Sequence, residues 1–382
     1  MPKKSPDVDI ELSVLKWLVE SSGWTNEEIA KRLGTSNKNI KRIITGDKKP
    51  TFRQLQELSR IFKRPIAAFL LSEPKKEKPK PKDYRLLPGK IDKFDKKTLL
   101  TLRRTRRLQE LSKELSKNIK YDTKTKLGKA KIIDNPKKLA ERYRDIFELN
   151  LEKQKKFKTA YELFNYIRDI LEDMNIYVFQ FSMPVEDARG FVLVDDYPYI
   201  IVVNTKDNIE ARLFSLMHEF GHILLGESAI DLPEAGSSTK NKVESWCNEF
   251  SAAFLLPKSI AKDIFTEHKL ALTQTKTLNY LSRKYKVSKA MLLVLMKRLN
   301  FITRKEQENI LNRFSTDLIK EKETKREGGV PSDRRVLAEK GNKFISLVAN
   351  NFDREFITYT DALNYLSIKS NNFDKVLAKA RK

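Results

Sequence analysis

Residues 213–225 have the sequence Leu-Phe-Ser-Leu-Met-His-Glu-Phe-Gly-His-Ile-Leu-Leu, in which a few polar side chains interrupt an otherwise apolar run. The polar residues Ser215, His218, Glu219 and His222 recur at the spacing of one helical stripe. The pattern predicts a buried helix with two histidines on one face. Both imidazoles can bind one cation, and the adjacent glutamate can serve as a general base. This motif is typical of zinc-dependent peptidases.

A second apolar run, residues 243–256, offers candidates for the third metal ligand. It is also predicted to be a buried helix, and Glu244, Cys247, Asn248 and Ser251 form its polar stripe. Because zinc needs three protein ligands and one open position, the two stripes are expected to face each other across a metal. Glu244 is then the third ligand. Asn248, one turn later, is expected to contact one of the metal ligands, a carboxylate or a histidine, and to hold it in its orientation.

Four other residues compete with Glu244 for this role. Glu249 lies off the stripe and is expected to face solvent or to pair with a lysine. Glu227 and Asp231 follow the first helix too closely to fold back easily. Cys247 can bind zinc, but the only cysteine of the chain is equally well a small buried apolar residue.

The two runs together resemble the ImmA/IrrE family of metallopeptidases. The resemblance rests on residues 212–225 and on Glu244-x-x-x-Asn248-x-Phe250-x-Ala-Ala-x-Leu-Leu-Pro257, with Gly190-Phe191 and Asn204 upstream. It implies one zinc ion per chain, bound by His218, His222 and Glu244, with Glu219 as the general base. Members of this family cut helix-turn-helix repressors and so switch on mobile-element or stress genes. The resemblance does not cover the C-terminal segment.

A helix-turn-helix is predicted near the N-terminus. Thr25-Asn-Glu-Glu28 is a capping box that opens a short helix, Gly34-Thr35 forms a turn, and Ser36 caps a second helix from Asn37 to Ile44. This layout resembles an Xre-type DNA-binding domain. The residues expected to contact DNA on the second helix are Asn37, Lys38, Asn39, Lys41 and Arg42. A docking module without DNA contacts is the alternative.

Composition limits the class of protein. The formal net charge of +25 over 382 residues favours polyanionic partners, above all nucleic acid, although a lysine-rich solvated surface would look similar. A single cysteine argues against a disulfide framework and is consistent with a reducing cytoplasm. Neither a signal-peptide pattern nor a membrane-length apolar stretch is recognisable, so we expect a cytoplasmic protein without a membrane partner.

The predicted fold class is α+β and mostly helical. Short β-branched runs at 176–181, 190–194 and 199–203 predict a small sheet beside the two helices that are predicted to bind zinc. The predicted segments are 9–73, a helix-turn-helix bundle; 74–130, a basic linker and connector helix; 131–315, a zincin-like metallopeptidase domain; and 332–382, a small helical domain.

The resulting hypothesis is a zinc endopeptidase held on DNA by its own helix-turn-helix, with a repressor protein as substrate. The main alternative is a DNA-binding regulator whose zinc domain senses a ligand without cutting. A third hypothesis is an antitoxin-like or defence component that acts by binding alone. The sequence leaves the activating signal, the cleavage site, the operator, the oxyanion-stabilising residue, the role of the C-terminal helices and the oligomeric state open, a homodimer included.

Overall fold

The computed structural model describes residues 5–74, 95–125, 127–226, 237–324 and 332–380. The chain divides into two units. The first comprises Met1–Lys82, Leu86–Leu108 and Ser182–Ala188, and the second comprises Asp83–Arg85, Gln109–Phe181 and Arg189–Lys382. Residues 75–94, which contain the predicted basic linker, lie outside the described residues. The structure does not test the predicted segment boundaries, which stay predictions.

The first unit contains the helix-turn-helix. Its elements are α1 (Leu12–Ser22), α2 (Asn26–Leu33), α3 (Asn37–Thr45), α4 (Phe52–Phe62) and a 3₁₀ turn (Ile66–Leu70). The predicted capping box is present: Thr25 accepts from the Glu28 amide, and Glu28 accepts from the Thr25 amide. Gly34 ends α2 in the left-handed conformation with φ +63°. The core is made of apolar side chains from all four helices, including Leu15, Leu18, Ile29, Ile40, Leu55 and Phe62.

The predicted connector helix is α5 (Lys96–Asn118). Its first turns pack within the first unit. Lys96 lies over the Trp24 ring at 4.3 Å and pairs with Glu28. Arg103 is buried and donates to Ser21 Oγ at 2.7 Å. Lys96 and Arg103 are thus used for contacts inside the unit.

The second unit is built around a three-stranded sheet with strand order β1-β3-β2. β1 (Ile176–Phe181) runs parallel to β3 (Tyr199–Asn204), and β2 (Gly190–Leu193) is antiparallel to β3. Almost every strand residue is buried, which requires cover on both faces of the sheet. The predicted α+β, mostly helical class is confirmed.

Helices supply that cover. The helices that follow α5 are, in chain order, α6 (Pro136–Ile146), α7 (Leu151–Lys156), α8 (Ala160–Asp173), α9 (Ile209–Leu224), α10 (Ser237–Leu255), α11 (Lys258–Glu267), α12 (Thr275–Tyr285), α13 (Lys289–Arg298), α14 (Arg304–Thr324), α15 (Ser332–Asp353), α16 (Tyr359–Leu366) and α17 (Phe373–Ala380). Helices α8 and α9 pack on the sheet, and α10 packs on α9 and α6. In the described part of the chain, none of the helices is long and apolar enough to cross a bilayer.

The C-terminal helix α15 covers the second face of the sheet. The Phe344 ring lies 5.7 Å from that of Phe179 and 6.5 Å from that of Tyr177. Helix α15 is kinked at Gly341, whose φ of +76° and ψ of 161° interrupt the helix. Residues 332–380 therefore share a unit with the sheet and with helices α9 and α10.

A buried ion pair on α8 lies beneath this kink. Arg168 and Glu172 are 3.0 Å apart. Arg168 donates to the carbonyls of Leu337 and Ala338 before the kink, and Glu172 accepts from the Lys343 amide after it. The cation thus lies at the carbonyl end of one helical segment and the carboxylate at the amide end of the next, the favourable side of each helix dipole.

Candidate metal centre

Helix α9 carries the His-Glu-x-x-His motif in a fully buried position. Asn208 caps the helix by accepting from the Ala211 amide at 2.8 Å. His218 and Glu219 have no exposed surface, and His222 is 2 % exposed. Since the two histidines are one helical turn apart, both rings lie on the same face, and their Nε2 atoms are 3.1 Å apart.

Two glycines allow the elements of the site to approach each other closely. A β-carbon at Gly221, within the motif, would lie 3.2 Å from Cys247 Sγ on α10. A β-carbon at Gly190, the first residue of β2, would lie 2.9 Å from the Val202 carbonyl oxygen and 3.1 Å from Glu219 Oε1. The absence of side chains at these positions brings α10 against the motif and β2 against the glutamate.

An aromatic layer fixes the rotation of α10. Trp246 stacks on Phe250 with ring centroids 5.6 Å apart, and its indole nitrogen donates to the Asp134 carbonyl at 2.8 Å. Tyr143 on α6 makes edge contacts with Phe250 and with Phe220 of α9. Because Trp246 is held at both ends, the preceding turn of α10 presents Glu244 to the histidines.

The structure brings His218, His222 and Glu244 together. Glu244 Oε2 lies 3.2 Å from His218 Nε2, and Glu244 Oε1 lies 3.4 Å from His222 Nε2. Their ligand atoms all lie within 4.8 Å of one another, and among the described residues this is the one group of three that could hold a metal ion. Around tetrahedral zinc with bonds of roughly 2.0–2.1 Å, neighbouring donor atoms are about 3.3 Å apart. The three separations therefore fit a zinc ion with one position left open.

Charge coupling within this group shifts the pKa of Glu244. Burial acts to raise this pKa, but hydrogen bonds and charges from His218 and His222 outweigh it. The pKa of Glu244 therefore lies well below its usual value. A carboxylate that stays ionised is the form that binds metal.

The pKa of His222 shifts in the opposite direction. Burial acts to lower it, but Cys247, Glu244 and Glu219 outweigh burial, and the pKa lies well above its usual value. Without metal, a proton on this ring is stabilised by its neighbours. A metal ion must displace that proton.

Two of the competing ligands, Glu249 and Cys247, are described by the structure and lie outside the group. Glu249 pairs with Lys137 Nζ at 3.7 Å, in line with the expected lysine partner. Cys247 is buried, and burial raises the pKa of its thiol, which disfavours the thiolate that binds metal. Glu227 and Asp231 lie outside the described residues. The Asn248 side chain is half-buried one turn beyond Glu244, and its orienting role stays a prediction.

The predicted DNA-contacting residues lie on α3. Lys38, Lys41 and Arg42 are exposed and, together with Asn37, border a shallow hollow of about 340 Å³. The side-chain amide of Asn39 donates to Thr35 Oγ1 at 3.0 Å and its backbone amide donates to Ser36 Oγ, while its contact with DNA stays a prediction. Asn39 thus holds the turn between α2 and α3.

Comparison with known protein families agrees with both parts of this picture. Residues 171–297 match the IrrE N-terminal-like domain of the M78 peptidases, and residues 15–69 match a helix-turn-helix family. The predicted combination of an ImmA/IrrE-type metallopeptidase domain with an N-terminal helix-turn-helix is confirmed. The search of curated proteins gave no match. The peptidase family implies a metal, and His218, His222 and Glu244 are the residues that could bind it.

Proposed function

We propose that this chain, which joins a helix-turn-helix to an IrrE N-terminal-like metallopeptidase domain, is a zinc-dependent endopeptidase. The observation that carries the proposal is the geometry of His218, His222 and Glu244, whose donor atoms are spaced 3.1–3.4 Å apart with Glu219 buried beside them. A structural histidine pair would need neither a third ligand at this spacing nor a buried carboxylate in the adjacent position.

Each protein residue then has a defined task. His218, His222 and Glu244 hold the ion, and Gly190 keeps the β2 backbone close to Glu219. The chemistry that zinc supplies at such a site is polarisation of the scissile carbonyl and activation of water. Glu219 takes a proton from the attacking water and passes it to the departing amine.

The proposed substrate is a helix-turn-helix repressor. Support comes from the family resemblance and from the fused helix-turn-helix domain, which would place the peptidase at the promoter where a repressor is bound. Cleavage would derepress mobile-element or stress genes. We place this activity in the cytoplasm, since the chain's one cysteine is a buried free thiol.

The test of proteolysis compares the native chain with Glu219→Gln, using a candidate repressor encoded nearby as substrate. The substitution keeps the size of the side chain and removes the base, so repressor cleavage should be lost while zinc binding is retained. Equal loss of the repressor with both chains would exclude proteolysis. Normal gene regulation by Glu219→Gln would favour the alternative, a zinc-containing sensor, because a sensor needs the ligands but not the base.

The role of the helix-turn-helix is tested separately. Lys41→Ala combined with Arg42→Ala removes two exposed cations from α3. This variant should cleave repressor more slowly when the repressor is bound to operator DNA, and at the native rate when it is free in solution. Equal loss in both settings would contradict tethering.

A further inference from the structure

The last two helices repeat the backbone plan of α2 and α3. Thr358 caps α16 through a capping box with Asp361, as Thr25 does for α2 with Glu28. Both helices are eight residues long. Each is ended by a residue in the left-handed conformation: Ser367 has φ +57°, and Gly34 has φ +63°.

The turn that follows is also the same. Two residues after the left-handed position, Lys369 has φ −88° and ψ 156°, and the equivalent Ser36 has φ −82° and ψ 154°. The chain then forms a 3₁₀ turn (Ser370–Asn372) that continues directly into α17. The next helical segment therefore begins at the position where α3 begins, with one tighter 3₁₀ turn at its start.

Three core positions are buried in both segments. Ala362, Phe373 and Val376 are buried at the positions equivalent to Ile29, Ile40 and Ile43. Helix α15 packs against both α16 and α17. The aligned residues of the two segments are identical only at Thr358, Leu366 and Asn372, so the sequence pattern alone does not reveal the repeat.

We propose that residues 342–380 form a second helix-turn-helix that binds duplex DNA through α17. In the first helix-turn-helix the exposed positions of α3 carry Lys38, Lys41 and Arg42. The equivalent positions here are Asn371, Asp374 and Lys375, all exposed. Asparagine can bond base edges, and lysine can neutralise phosphate. Asp374 opposes phosphate, so this contact should be weaker than that of α3.

A nucleic-acid partner is favoured over a protein partner by the character of this surface. Among the described residues, none of the large exposed apolar side chains is on α17; the nearest, Phe356 and Tyr359, lie before α16 and at its first position. A stable protein interface needs an apolar centre, which this face does not offer. The net charge of +25 also favours a polyanion. Lys379 is paired with Asp333 and therefore does not contribute a free cation to this face.

Binding to a fluorescein-labelled duplex of random sequence tests the proposal. The full chain with Lys41→Ala and Arg42→Ala provides a background in which the contribution of α3 is reduced. Adding Asn371→Ala and Lys375→Glu should weaken binding about tenfold and flatten its salt dependence. The matched control is Lys305→Glu, an exposed lysine on α14, which makes the same change of charge elsewhere in the second unit. Equal weakening by both would overturn the proposal.

A proximity measurement tests the same face without relying on affinity. Cys247, the only cysteine, is buried, so Asn371→Cys can be labelled selectively with an iron chelate that cleaves nearby DNA. Cleavage of the duplex should be several-fold greater from position 371 than from Lys305→Cys. Comparable cleavage would overturn the proposal. So would a change of oligomeric state in Asn371→Ala/Lys375→Glu at unchanged DNA affinity, because the face would then bind protein.

Discussion

Gly221 of α9 faces Cys247 of α10 so closely that a β-carbon on the glycine would lie 3.2 Å from Sγ and 3.4 Å from Cα. The contact is one turn from Glu244 on α10 and directly precedes His222 on α9. The spacing of the two helices at this point therefore sets how well the carboxylate of one helix meets the imidazoles of the other.

We expect Gly221→Ala to weaken zinc binding about tenfold, which is the usual effect of changing a residue that contacts a metal ligand without binding the metal itself. The new methyl group pushes the helices apart by a few tenths of an ångström. Overall stability should change little, because alanine favours a helix over glycine by about 1 kcal/mol and offsets the strain. Competition with a chromophoric chelator measures the affinity. Adding Cys247→Ala to Gly221→Ala should restore part of the zinc affinity. If the double variant binds zinc no better than the two single changes added together predict, the contact is contradicted.

The ligand assignment of Glu244 predicts a contrast with its neighbour Glu249. Glu244→Gln should lower zinc affinity about a hundredfold or more, beyond the range usual for supporting residues. Glu249→Gln makes the same chemical change five residues along the helix, where the carboxylate pairs with Lys137, and should leave affinity within about twofold. Metal content after dialysis and chelator competition both report the difference. Similar affinities for the two variants would remove Glu244 from the site.

Much of this site could be predicted from sequence because helical periodicity alone places residues on a face. The spacing of His218 and His222 fixes their common side, and the stripe containing Glu244 fixes the side of α10 that meets them. The strands were predicted to within a residue, since β-branched runs bounded by turn residues leave few other readings.

What the sequence did not reveal depends on contacts between distant segments. Arg168 and Glu172 are charged residues one turn apart on a helix, a pattern typical of a solvated face. They are buried because α15 packs over them. The carbonyls of residues 337 and 338, which accept hydrogen bonds from Arg168, lie about 170 residues further along the chain. The repeat of the helix-turn-helix plan was missed for another reason: caps and left-handed turns accept several residue types, so the same backbone carries different sequences.

Zinc affinity is expected to rise with pH through neutrality. The pKa of His222 lies above its usual value, so without metal this ring keeps its proton to a higher pH than an ordinary histidine. Zinc requires the neutral ring, and binding should release a proton wherever the metal-free site is protonated. Affinity should therefore increase by up to about tenfold per pH unit below the raised pKa and level off above it. Calorimetry in buffers of different ionisation enthalpy measures the released protons. Affinity that is constant from pH 6 to 8 would contradict this assignment.

Gly341→Ala should destabilise the second unit by about 3 kcal/mol, since it combines backbone strain with disruption of a buried ion pair. The positive φ of +76° is one that alanine rarely adopts, and its β-carbon would lie 1.9 Å from Glu172 Oε1 and 2.7 Å from Arg168 Nη2. Gly128→Ala is the matched control, because Gly128 has open space around it. Urea unfolding followed by tryptophan fluorescence measures the loss, and limited proteolysis should cut the C-terminal helices faster in the variant. If both glycine substitutions unfold at the same urea concentration, the ion pair does not hold the kinked helix in place.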